Sequence, residues 1–116
     1  DKKPEGVLAA WFAPRVSRVE TYGKAKSAAE VAARMLDEIA QAKTPEKRRR
    51  VALEIIRDLH PDRAGDSVSS RATATALTRV AVVVRDYLDE VGWDVFDALT
   101  QGSIIADLRK RLDRAA

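Results

Sequence analysis

His60 is the single histidine of a 116-residue chain that has no cysteine, and it stands in "RDLHPDRAGDS" (57–67), directly before Pro61 and Asp62. An imidazole among carboxylates raises three chemistries: acid–base or nucleophilic catalysis, metal ligation, and a directional contact with a partner. Catalysis lacks parts. With one His and no Cys, the nucleophile–base pairs reduce to a hydroxyl somewhere near His60. The five glycines are scattered singly, so no phosphate-cradling loop is present. Asp58, His60, Asp62 and Asp66 alternate around the loop as a metal site might require. The run lacks the length and closing Glu of a calcium loop, however, and offers one imidazole only. Turn chemistry alone accounts for Asp-rich loops. We therefore expect a non-enzymatic interaction module with no metal and no cofactor.

The net charge of +3 comes from 21 Lys and Arg against 18 Asp and Glu, so a polycation is excluded and distribution carries the information. Positive charge gathers in "KTPEKRRR" (43–50) and "RKRLDR" (109–114), whereas "RDYLDEVGWDVFD" (85–97) is acidic. Such regions can face different partners, or be ordinary solvated helix faces. Lys47, Arg48, Arg49 and Arg50 fall near the start of a helix, where the macrodipole disfavours cations. That placement favours a binding surface for an acidic partner. Together with Arg109, Lys110, Arg111 and Arg114 these residues define a nucleic-acid reading, in which they neutralise phosphates. The few aromatics take core-like positions, so base stacking is not indicated.

These residues must be positioned by helices. "PEGVLAAWF" (4–12) predicts a short helix with Val7, Leu8, Trp11 and Phe12 on one side. Residues 15–26 read as a loop or a turn of helix, with Val16 and Val19 the only aliphatic residues and Gly23 a breaker. Ser27 and Glu30 form a capping box ahead of a helix that buries Val31, Met35, Leu36 and Ile39. Thr44 and Pro45 start the next helix, whose apolar stripe is Val51, Ala52, Ile55, Ile56 and Leu59 and whose outer surface is basic. Pro61 ends it near Leu59. Beyond the turn, Gly65 bends the chain and Asp66 or Ser67 caps the following helix.

That helix, about 69–91, carries Ala72, Ala76, Leu77, Val80, Val83, Val84, Tyr87, Leu88 and Val91 at helical spacing. Its "VAVVV" suits a strand locally, but the flanking periodicity decides for helix. Gly92 fits the position past its end. "WDVFDALTQ" follows as a short helix with Trp93, Phe96 and Leu99 inward. Gly102 and Ser103 break and recap the chain before a last helix bearing Ile104, Ile105, Leu108 and Leu112. The expected fold is all-α, a single domain over 1–116, with five to six helices bundled around the 69–91 helix. No apolar run approaches the roughly 20 residues of a membrane span, and a cysteine-free chain suits the cytoplasm. The start at Asp1 without Met suggests a fragment of a larger protein.

A basic helix ending in Leu, then His-Pro-Asp-Arg, a Gly-Asp turn and a long apolar helix resembles the centre of a J-domain, over about residues 44–91. Members of that family are co-chaperones that recruit DnaK-type chaperones and stimulate their ATPase. The resemblance implies that His60, Pro61 and Asp62 make the directional contact, and that Arg48, Arg49, Arg50 and Arg57 dock on an acidic chaperone surface. It also implies an antiparallel helix pair, with Ala52, Ile55, Ile56 and Leu59 packed on Leu77, Val80 and Val84. The chain departs from the family in carrying Thr73, Ala74 and Val80 where aromatic residues are usual. It has no evident first helix with a Tyr and a Leu-Gly pair, a place the 27–43 helix can take, and its "WDVFDAL" is acidic where a fourth helix is basic.

Two alternatives stand beside this reading. One is the basic subunit or accessory domain of a ribonucleoprotein or DNA-transfer assembly. The other is a helical subunit that packs on proteins through an apolar patch around Trp11 or Trp93. The same backbone would also follow if Pro61 only stopped the helix and His60 only filled the turn.

Overall fold

The computed structural model describes residues 18–61 and 68–115. The expected helix at 4–12, with Trp11 and Phe12, and the turn residues Asp62, Gly65, Asp66 and Ser67 lie outside these. Among the described residues there are six helices and no strand: α1 (Arg18–Gly23), α2 (Ala28–Ala40), α3 (Pro45–Leu59), α4 (Val68–Val91), α5 (Val95–Ala98) and α6 (Gln101–Ala115).

Local chemistry starts and stops these helices much as the sequence suggests. Ser27 Oγ accepts the Glu30 amide at 3.1 Å. Glu30 reaches back one residue further than in the usual reciprocal box, accepting the Lys26 amide at 2.6 Å. Thr44 Oγ1 accepts the Lys47 amide at 3.3 Å, and Pro45 takes the first helical position. Gly92 has φ +107°, the conformation that a helix end hands to glycine. The last helix departs from expectation. Gly102 and Ser103 lie inside α6, and the cap is Thr100, whose hydroxyl oxygen accepts the Ser103 amide at 3.2 Å.

The core is built from Val31, Ala32, Met35, Leu36 and Ile39 of α2, Ala52, Ile55 and Leu59 of α3, and Ile104, Leu108 and Leu112 of α6. From α4 it takes Ala74, Leu77, Val80, Ala81, Val84, Tyr87 and Leu88. Ala72, Ala76 and Val91 are exposed, so the buried stripe of α4 is narrower than the run of apolar residues implied. Leu99 is also exposed, and Val95 takes the inward place beside Trp93 and the half-buried Phe96. The stretch expected as a loop or a turn of helix contains α1, where Val19 and Tyr22 are buried. A tyrosine three residues after a valine supplies the apolar pair that aliphatic counting overlooked.

The packing partners set the cross-section. α3 packs on α2 and α4, α6 also packs on α2 and α4, and α2 packs directly on α4. α3 and α6 thus occupy opposite sides of an α2–α4 centre. α3 and α4 run antiparallel: Leu59 at the end of α3 meets Thr78, and Arg49 near its start meets Asp89. α1 lies across α2, α3 and α4.

Candidate docking surface

α3 carries the basic run, and the fold divides it. Arg48 is 5% exposed and is no part of the outer surface. It lies four residues before Ala52, seven before Ile55 and eleven before Leu59, which is the buried stripe itself. Its Nε donates to the Ala42 carbonyl at 3.0 Å and its Nη1 to the Trp93 carbonyl at 3.0 Å. The two Nη atoms fork onto Asp97 at 3.4 and 3.3 Å, and the guanidinium carbon stands 5.2 Å from the Phe96 ring centre. The side chain is a strut between α3 and the α4–α5 junction.

Arg49 is exposed but engaged, its Nε donating to Asp89 at 3.2 Å. Asp89 also accepts the Trp93 indole N–H at 2.8 Å. That indole bond first, and Arg49 after it, hold the Asp89 carboxyl below its usual range. The basic and acidic segments therefore meet each other, which answers the dipole argument: two of the four cations at the start of α3 have tertiary partners. Lys47, Arg50 and Arg57 remain exposed on the face of α3 away from the core. Leu53, 39% exposed, and the half-buried Glu54 lie between them along the helix.

This face ends at His60, which is exposed and caps α3, its amide donating to the Arg57 carbonyl at 3.3 Å. Pro61 is half-buried and Asp62 lies outside the described residues. The turn of helix behind His60 is held from two sides. Leu59 is fully buried, and Thr78 Oγ1 donates to its carbonyl at 3.0 Å. Asp58 pairs with Arg18 of α1, whose guanidinium also pairs with Glu38 of α2. Tyr22 donates its hydroxyl to the same Glu38. Burial, and then this carboxylate, push the Tyr22 phenol well above its ordinary value. For Arg18, burial pulls downward, but Glu38 and Asp58 more than offset it. Nothing in the composition of residues 15–26 marked Arg18 or Tyr22, since their partners are distant in sequence.

The second basic group is elsewhere. Arg109, Lys110 and Arg114 are exposed on α6, across the α2–α4 centre from α3. Arg111 is half-buried, 2.7 Å from Glu90 and 4.9 Å from the Tyr87 ring centre. The Glu90 carboxylate holds the Arg111 guanidinium above its usual range and is itself held low by it. The two basic clusters thus do not merge. Trp93 is buried, so the patch expected around it is covered, and Trp11 lies outside the described residues.

Among the described residues, no group of three or more His, Cys, Asp or Glu side chains has metal-binding geometry. None of the described helices is long and apolar enough to cross a membrane. In comparison with known proteins, the chain matches no family model, no curated protein and no solved structure.

Proposed function

We propose that this chain is a non-enzymatic docking module of J-domain-like type, which engages a DnaK-type chaperone in the cytoplasm. The observation that carries the reading is the exposed face of α3, where Lys47, Arg50 and Arg57 lead to His60 and Pro61 at the end of an antiparallel helix pair. Exposed cations attract an acidic surface and speed encounter, and a directional contact at the end of the helix then fixes orientation. In this mechanism Arg50 and Arg57, with Lys47, steer. His60, Pro61 and Asp62 make the directional contact. Arg48 belongs to the frame rather than to the contact, and Arg49 contributes only when it leaves Asp89.

The nucleic-acid alternative has less support, because its two basic clusters sit on opposite sides of the α2–α4 centre and Arg111 is taken by Glu90. One duplex would meet only one of them, which limits the phosphates neutralised and the salt dependence that follows.

ATPase stimulation tests the proposal. The wild-type chain should accelerate ATP hydrolysis by a DnaK-type chaperone, and Asp62→Asn should abolish that effect with helicity unchanged. Normal stimulation by the variant, or none by the wild type, would sink the reading. Salt-sensitive RNA or DNA binding that ignores His60→Gln, and is lost on reversing the charges at 109–111, would favour the alternative instead.

A further inference from the structure

We infer that Arg18 is a positioning residue for the His60 contact, acting from outside the J-like segment by clamping the last turn of α3. The inference rests on the docking reading for its functional consequence, but its structural part stands separately. Arg18 is the one described side chain that ion-pairs with both α2 and α3, through Glu38 and Asp58. Asp58 is two residues before His60, so the pair acts on the turn of helix from which His60 projects. The three side chains are 26%, 32% and 35% exposed, part-buried enough to escape the full screening of a surface pair.

Direction matters as much as strength. Thr78 holds the Leu59 carbonyl from the α4 side, and Leu59 itself is buried in the core. Arg18 holds Asp58 from the α1 and α2 side, within the last turn, where helix ends fray most readily. The bidentate capacity of a guanidinium suits that task, since a single head can reach carboxylates on two helices at once. Tyr22 completes the arrangement by donating to Glu38, which orients that carboxylate for Arg18. α1 is six residues long and too short to be stable alone, so Val19 and Tyr22 in the core are what keep Arg18 in place. α1 thus brackets the end of α3.

The test compares Arg18→Gln, Asp58→Asn, the double variant and Arg18→Lys in the full chain. Amide exchange at 57–60 should rise about tenfold in Arg18→Gln, while the centres of α2, α4 and α6 keep their protection. Asp58→Asn should do the same, the double variant should add little to either, and Arg18→Lys should recover part of the effect. In the chaperone assay, Arg18→Gln should lower maximal stimulation about tenfold and leave the half-saturating concentration within about twofold, because the steering face is untouched. A purely structural role behaves differently: it lowers the active fraction, raising the half-saturating concentration at unchanged maximum, and raises exchange throughout the core. Either pattern, or unchanged exchange at 57–60, would overturn the inference. If the wild type fails to stimulate, the docking reading fails, and the clamp is judged by exchange alone: a rise confined to 57–60 upholds it, and an even or absent rise rejects it.

Discussion

Arg48 shows how a charged residue reaches a core position and what holds it there. Three of its contacts are made by fixed geometry: two backbone carbonyls and a carboxylate fork, with an aromatic ring beneath. Arg48→Ala removes them together and leaves the Trp93 carbonyl without its donor, so thermal or urea unfolding should show a loss of about 2–3 kcal/mol. Arg48→Lys should recover little, because one ammonium cannot span the carbonyls and the fork. The partner Asp97 is largely exposed, which keeps the loss below that of a fully buried pair. This role was legible in the spacing 48, 52, 55 and 59, but residue type spoke louder than position. Arg18 and Tyr22 were not legible in that way, since the reason for each is a carboxylate 16 to 40 residues away. The end of α3 at Leu59 and His60 was legible from the sequence, because a proline's effect on the preceding residue is local.

At the scale of elements, the chain follows its caps. Thr44→Ala should destabilise by about 1 kcal/mol, as the Lys47 amide loses its acceptor. Gly92→Ala is the sharper case: a Cβ there would sit 2.7 Å from Asp94 Oδ1 at a φ of +107°. Clash and strain together should cost about 1–2 kcal/mol by denaturant titration, and Gly92→Ala with Asp94→Ala should relieve only the clash. Five helices were readable from caps, breakers and periodicity, and α4 was correctly a helix despite its β-branched run. The small errors share a cause. The Thr100 cap and the inward Val95 belong to the short α5 and the chain leaving it, and four residues of helix contain too little periodicity to reveal which side faces in. The narrower buried face of α4 has a related origin, since how much of a helix is covered depends on the number of neighbours and not on its own pattern.

Taken as a whole, the molecule joins segments of opposite charge to itself. Arg48 to Asp97, Arg49 to Asp89 and Arg111 to Glu90 tie both basic clusters to the acidic 85–97 stretch. Composition displayed both charges, but their mutual attachment follows from α4 lying between α3 and α6. Asp89→Asn should therefore release Arg49 to the exposed face and tighten docking on an acidic partner several-fold by calorimetry, at some cost in stability from the weakened Trp93 bond. Stability should also depend on pH at both ends. Glu30 is held low by the Lys26 amide first, Asp89 by the Trp93 indole first, and Glu90 by Arg111. Depressed carboxylates stabilise above their unfolded values, so the unfolding temperature should fall as pH drops through about 4. Tyr22 is raised, so its contribution is present below its ordinary value of 10.0 and is lost as pH climbs beyond it. A scan of unfolding temperature against pH should show a plateau between these limits.

Docking as proposed places the partner at the end of α3 and not on α6. The most direct measurement is a titration of the isotopically labelled chain with an ATP-bound DnaK-type chaperone, followed by amide and imidazole resonances. Broadening or shifts are expected at Lys47, Arg50, Arg57 and His60, lost in Asp62→Asn, with α6 unaffected. Resonances of α3 that stay in place while Arg109, Lys110 and Arg114 respond to nucleic acid would contradict it.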